Sequence, residues 1–360
     1  MNHISEEIFV NHQARKTKKQ KREFINYYTE ELSAADIDYQ IEVGGWLKHR
    51  NLVIGDFENA QLVFTAHYDT APKRILPIPK IIMFINKFIL SNLLDLFFTA
   101  LFFAVPTLIG IVVGFSFGEI LKIYPLLLLI VLTSNYVGPT NEHTANDNTS
   151  GVIAINEMVF DLKEDLDDAA FVLFDNEEKG LLGSAHFAKM HQKLLKDKII
   201  INLDCIANGD HILVLPDKKS AKNKQLQEVL KKSFLQAPDE KELLIDRASF
   251  FPSDQMNFKN NIGVVAAQHS SVWGYYLTDI HTSKDQKFEK ENIDYITHSL
   301  KNLVRESKGI QLIADPKELN RIEQTWSNLG AWKWAIVFIV SLVAGYFGGY
   351  LVGYVLGLLT

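Results

Sequence analysis

Two histidines and three carboxylates, His67, Asp147, Glu178, Asp204 and His281, lie along the chain in an order that can converge on one point, and a further carboxylate, Glu177, stands beside the third. Several of them follow short apolar runs and have Gly, Asn, Thr or Ser close by. Nitrogen and oxygen donors of this kind hold zinc-like cations. A pair of such cations polarises a carbonyl and activates water, so the chemistry to expect is metal-assisted hydrolysis.

Taken singly, each piece is modest. With Asp69 two residues after His67, the imidazole can bind metal while the carboxylate orients its ring, yet an ordinary polar strand end reads the same way. Asp147, in Ala145-Asn146-Asp147-Asn148-Thr149-Ser150-Gly151, stands where an N-cap would open a helix. Glu177–Glu178 is more unusual, because adjacent carboxylates repel and a buried pair needs a cation or a shared proton. Asp204 ends a further apolar run, and His281 opens the polar loop His281-Thr282-Ser283-Lys284-Asp285. The ordered set, rather than any member, points to metal.

The elements that must position these residues alternate. Apolar runs at 61–66, 171–174, 199–203 and 262–267 read as strands, and residues 152–162, 184–195 and 225–235 as helices. The expected fold class is α/β, a mostly parallel central sheet flanked by helices. Ligands of such sheets bind beyond the carboxyl ends of the strands, where His67, Asp175–Glu178 and Asp204 fall. Residues 5–33 read as one helix whose basic run, Arg15 to Arg22, forms a solvated face or meets anionic lipid. Residues 39–43 and 51–54 read as paired strands turned at Gly44–Gly45, residues 288–304 as a long amphipathic helix, and 317–326 as a shorter one.

The chain has 360 residues, a net charge of −6 and a single cysteine, Cys205. That balance gives no sign of nucleic-acid binding, and one cysteine excludes an internal disulfide. Apolar residues are concentrated in three stretches. Residues 93–117 carry one charge, Asp95, and can span a hydrocarbon core of about 30 Å. Residues 123–137 can return, making a hairpin, with 77–92 as an interfacial lead-in. Residues 332–359 carry no charge after Lys333, and Gly345, Gly349, Gly353 and Gly357 form a ridge that suits packing on the hairpin or a homodimer contact. Lys73, Arg74, Lys80 and Lys87 before the first span place the ligands on the cytoplasmic side, and the C-terminus outside. The expected organisation is therefore 1–76 and 140–327 as one catalytic domain, 77–139 as a membrane hairpin inserted into it, and 332–360 as a third transmembrane helix.

Taken together, His67-Tyr68-Asp69, Asp147-Asn148-Thr149-Ser150-Gly151, Glu177-Glu178-Lys179-Gly180-Leu181-Leu182-Gly183-Ser184, Asn202-Leu203-Asp204 and His281-Thr282 with Asp285 resemble the zinc aminopeptidase family of aminopeptidase Y and bacterial leucyl aminopeptidases. Glutaminyl cyclases are similar in fold. The resemblance covers residues 20–75 and 140–308. It implies a zinc-exopeptidase fold and two zinc ions. Asp147 would bridge them, His67 and Asp204 would complete one site, and Glu178 and His281 the other. Asp69 would support His67, and Glu177 would act as general base. Ser253 and Asp254 would lie near the substrate, and Tyr275 or Tyr276 would assist the oxyanion. The implied substrate is a peptide. A single-zinc cyclase, a carboxypeptidase or dipeptidase, and an inactive scaffold are the other readings. The departure from the simple pattern is the separation of eighty positions from His67 to Asp147, most of it membrane-like, which would set the active site near a bilayer.

Overall fold

The computed structural model describes residues 1–73, 82–84, 104–116, 118–119, 122–125, 138–166, 168–234, 242–245, 251–271 and 274–313. The chain divides into two compact units. The first comprises Met1–Lys73, Phe84–Lys87 and Pro139–Ala314; the second comprises Arg74–Met83, Phe88–Gly138 and Asp315–Thr360.

In the first unit, β1 (Tyr39–Gly44) and β2 (His49–Ile54) form a hairpin, followed by β3 (Leu62–His67). A short strand, β4 (Ile82–Phe84), falls across the division between the units, and the first unit continues with β5 (Ala169–Phe174), β6 (Ile199–Leu203), β7 (His211–Pro216), β8 (Glu242–Ile245), β9 (Asn261–Ser270) and β10 (Gly274–Thr278). Strands β5, β3, β6 and β9 lie side by side and parallel. On one flank β2 pairs antiparallel with β5 and β1 with β2. On the other, β7 pairs antiparallel with β9 and parallel with β8, while the far end of β9 turns back into β10. The sheet is thus mixed rather than mostly parallel. Its parallel part is the centre, where every residue of β3, β5 and β6 is buried.

Central strands need apolar side chains on both faces, and these supply them in alternation. Leu62, Phe64, Ala66, Phe171, Leu173, Ile199 and Ile201 enter one cluster. That cluster also takes residues of α1 (His3–Asn11), α2 (Lys18–Ala34), α3 (Ser150–Asp161), α5 (Lys224–Ser233) and α6 (Lys290–Ser307). Val63, Ala170, Val172, Phe174 and Ile200 face the other way, onto Phe187 of α4 (Leu182–Met190) and onto Phe57 and Phe258.

The N-terminal segment is two helices, not the single one expected over 5–33. Thr17 breaks it: its hydroxyl accepts from Gln20 N, and Gln20 returns a bond to Thr17 N, a reciprocal cap that starts α2 afresh. The basic run is also not a solvated face throughout. Arg15, between the helices, is fully buried, and Lys21 is nearly so, its ammonium donating to Asp175 and Asn176 at the end of β5.

The ends of the long segment between His67 and Asp147 meet in the first unit. Lys73 N donates to Pro139 O over 2.8 Å, and Pro72 pairs with Thr140. In the second unit residues 104–113 are helical, with Val105, Ile109, Val112 and Val113 exposed, and the Thr107 and Tyr124 hydroxyls lie 2.7 Å apart. Among the described residues no helix is long and apolar enough to cross a membrane. The rest of both hairpin segments, the helix expected at 317–326, the 332–359 stretch and its glycine ridge lie outside the described residues.

Breaking the buried Lys21–Asp175 pair leaves an uncompensated carboxylate, so Lys21→Met is expected to cost about 3–5 kcal/mol. The midpoint of urea unfolding measures it; an unchanged midpoint would show that the pair does not hold α2 to the sheet.

Candidate metal centre

His67 is the last residue of β3, Glu177–Glu178 follow β5, and Asp204 follows β6. Parallel neighbours end together, so these three positions meet at one edge of the sheet. Asp147 and His281 arrive on loops. Asp147 does not cap α3: the residue before that helix is Thr149, and the side chain that accepts from its first turn is Asn148, whose Oδ1 takes Gly151 N at 3.0 Å.

Two donor triads share Asp147, and a third joins His67 to Glu177 and Glu178. His67, Asp147 and Asp204 each offer one donor atom within 4.8 Å of the others, and so do Asp147, Glu178 and His281. His67 Nε2 lies 3.4 Å from Asp147 Oδ1 and 3.6 Å from Asp204 Oδ1. His281 Nε2 lies 2.8 Å from Asp147 Oδ2 and 3.3 Å from Glu178 Oε2. Glu177 also comes close to His67 and Glu178.

Backbone and amide groups fix these side chains. Asp69 accepts from Glu177 N (2.9 Å) and Glu178 N (3.3 Å), and its carbonyl lies 3.0 Å from His67 Nδ1. Asp69 therefore locks the paired glutamates as well as the imidazole. Asp285 accepts from Asn146 N (2.8 Å) and Asp147 N (3.0 Å). Asn146 Oδ1 accepts from Ala207 N and Asn208 N, and Asn148 bonds to Leu203 O and Cys205 N. The carboxamides on either side of Asp147 thus tie its loop to the segment after β6 that carries Asp204. Asn176, Cys205 and His281 take left-handed φ of 60°, 57° and 59°, which costs non-glycine residues about 1–3 kcal/mol each and clusters at functional sites.

The charges are out of balance. Burial pushes the Asp69 carboxyl up to about 6 and, with repulsion from Asp147, the Asp285 carboxyl up to about 7. Burial, with repulsion from Glu178, also holds Glu177 well above the usual carboxylate range. Burial opposes charge on the histidines, but the carboxylates around them win: His67 is held well above its ordinary value, and His281, beside Glu178 and Asp147, rises to about 10. Burial likewise opposes charge on Asp147, yet His281 and His67 hold it well below the usual range. Even so, Glu178 Oε1 and Asp204 Oδ1 are buried without a hydrogen-bond partner among the described residues. Orphaned carboxylate oxygens within a nitrogen and oxygen donor set fit zinc.

Asp254 is fully buried, accepts from Ser184 Oγ, and is raised to about 7 by its burial. Ser253 is also fully buried, its hydroxyl accepting from Asn202 Nδ2 at 3.0 Å. Tyr275 and Tyr276 lie on β10, where the Tyr275 ring packs on His269 and His211. Sequence reasoning did not single out Asn146, Asn148 or Arg15. The two asparagines were legible only as turn formers, and Arg15 as a surface charge.

The sequence model of peptidase family M28 matches residues 131–304. That range holds Asp147, Glu177, Glu178, Asp204 and His281, whereas His67 precedes it. Among solved structures, a zinc-dependent exopeptidase from Parabacteroides distasonis is 14% identical with a TM-score of 0.55, covering 84% of this chain and 95% of its own. Porphyromonas gingivalis glutaminyl cyclase is 13% identical with a TM-score of 0.55, covering 85% and 95%. The Legionella pneumophila LapA aminopeptidase is 14% identical with a TM-score of 0.51, covering 87% and 69%. The chain has the zinc-exopeptidase fold. A comparison with curated proteins gives no match.

The raised imidazoles set a sign for pH. In metal-free protein the stability that protonated His281 contributes is fully present below 6.5 and is lost as pH rises through about 10. Asp285 acts in the same direction, losing its contribution between 3.8 and about 7. Metal takes the imidazoles deprotonated. The rise in melting temperature on adding zinc should therefore be larger near about pH 8.5 than near about pH 6. An increment that does not vary with pH would remove the histidines from the centre.

Proposed function

We propose that the chain is a two-zinc metallopeptidase of family M28, anchored in a membrane, that removes N-terminal residues from peptides. The observation carrying this reading is the pair of triads sharing Asp147, with Glu177 beside them. His67 and Asp204 would hold one zinc, Glu178 and His281 the other, and Asp147 both. The ions would supply Lewis-acid polarisation of the scissile carbonyl and of a water.

Glu177 then has a defined task. Its carboxylate takes a proton from the water and returns it to the departing amine. Asp69 keeps Glu177 and Glu178 in place through their backbone N–H groups and steadies His67 through its own carbonyl. Aminopeptidase rather than carboxypeptidase action is supported by the likeness in fold to the Legionella pneumophila LapA aminopeptidase.

Membrane anchoring rests on the apolar stretches 93–117, 123–137 and 332–359 and is supported by the exposed apolar residues of the 104–113 helix. The ligands would face the cytoplasm, with the 345–357 glycine ridge packing on the hairpin or on a second copy. Insertion of the hairpin between two ligands favours substrates held near the bilayer.

Purified protein is expected to contain about two zinc ions per chain, and Glu177→Gln to keep them while losing about 100- to 10,000-fold in peptidase turnover. One zinc with cyclisation of N-terminal glutamine would replace this reading with a cyclase; full turnover in Glu177→Gln would remove the general base. For the anchor, the full chain should stay with membranes through alkaline carbonate washing. External protease should spare the catalytic unit in sealed right-side-out vesicles; release by the wash, or cleavage there, would refute anchor or orientation respectively.

A further inference from the structure

Arg15 is the largest fully buried side chain among the described residues, and nothing in the hydrolytic chemistry uses it. Its Nε donates to Tyr68 O, Nη1 to His12 O, and both terminal nitrogens lie 3.2 Å from Thr149 Oγ1. The main chain repeats the link: Arg15 N donates to Thr70 Oγ1, and Thr70 N to Arg15 O. The Phe24 ring covers the guanidinium at 5.3 Å.

Two features of this arrangement go beyond packing. All three side-chain acceptors are neutral, so no hydrogen bond balances the charge directly, and a buried cation without opposite charge is costly. Burial lowers the guanidinium to about 9, still charged at neutral pH, and the acidic groups that favour its charged form are Asp69 and Asp147. One of these organises the paired glutamates, and the other is shared by two triads. In addition, Tyr68 sits between His67 and Asp69, while Thr149 is two residues beyond Asp147. One planar fork therefore joins the His67 turn to the Asp147 loop, segments about eighty positions apart in the chain.

We propose that Arg15 is a positioning residue and the permanent cation of the metal centre: it fixes the His67 turn against the Asp147 loop and offsets the carboxylates while metal is absent. The inference rests on the two-zinc reading for its metal-loaded half only. When zinc is bound, its charge takes over most of the offset. Arg15 then matters mainly through its hydrogen bonds.

The test is thermal unfolding of full-length protein in detergent, chelated and zinc-loaded, for wild type, Arg15→Met and Arg15→Lys. In chelated protein Arg15→Met should lower the midpoint by roughly 10 °C, and in zinc-loaded protein by less than half as much. Arg15→Lys, which keeps the charge without the fork, should retain most of the chelated midpoint. An equal fall with and without zinc would reduce Arg15 to a structural anchor and overturn the proposal, as would a lysine variant as unstable as the methionine one. If Arg15→Met does not fold, Arg15→Lys decides: a chelated midpoint near wild type supports the cation role, and a large fall that zinc does not diminish refutes it. Should wild type bind no zinc, the two-zinc reading fails, while the chelated comparison still tests the cation.

Discussion

Repulsion among carboxylates is the constraint on which the rest of this structure depends. Asp69, Asp147, Glu177, Glu178, Asp204, Asp254 and Asp285 are brought to one region, mostly out of water. Left alone, such a set would protonate or spread apart. The protein answers with several kinds of positive potential. Imidazoles of His67 and His281 sit between carboxylate pairs. Backbone N–H groups of residues 146, 147, 177 and 178 point at Asp285 and Asp69. Lys21 neutralises Asp175 one layer behind. The bare oxygens of Glu178 and Asp204 are what these answers leave over, and they are where a metal cation has most to gain.

That constraint explains the division of labour between sheet and loops. Parallel strands β3, β5 and β6 end in register: His67 is level with Phe174, and Thr65 with Asn202. Residues just past these ends are therefore near neighbours without any special loop. What the sheet cannot do is turn a carboxylate toward an imidazole against its like-charged neighbours. Backbone bends at Asn176, Cys205 and His281, and the Asn146 and Asn148 carboxamides, supply that orientation. Of these, His281 is itself a ligand, Cys205 follows the ligand Asp204, and Asn176 precedes the paired glutamates.

The ligands and central strands were legible in the sequence because both have local signatures. Four to six apolar residues ending in His, Asp or paired Glu are readable in one window, and β3, β5 and β6 bury both faces as such runs predict. Of the outer strands, β1 and β2 were legible, whereas β7, β8 and β10 were not. β7 is as apolar and as buried a run as the central strands, β8 pairs with β7, and β10 folds back on the end of β9 that immediately precedes it. The N-terminal segment failed because its partners are distant. Hydropathy treats Arg15 and Lys21 as surface charges, but their partners are Thr149 and Asp175, more than a hundred positions away, and no local pattern announces them. Thr17, by contrast, stood in plain view: a threonine followed three residues later by glutamine is a helix start.

The long interruption between His67 and Asp147 looks hostile to a site that needs both within a few ångströms. The physical cost is small, because loop-closure entropy rises only with the logarithm of length, by about 0.6 kcal/mol for each doubling. More important is where the closure occurs. Lys73 bonds to Pro139, and Pro72 pairs with Thr140, so the stems are clamped within the first unit. From the clamp to His67 is six residues on one side, and from the clamp to Asp147 eight on the other. The site therefore experiences a short connection, whatever lies beyond it. Arg15 acts on the same two stretches, bonding Tyr68 and Thr149 on the ligand side of the clamp. Two independent ties thus hold the first ligand to the shared one. That insulation lets a membrane-like segment occupy this position without disturbing the carboxylate cluster.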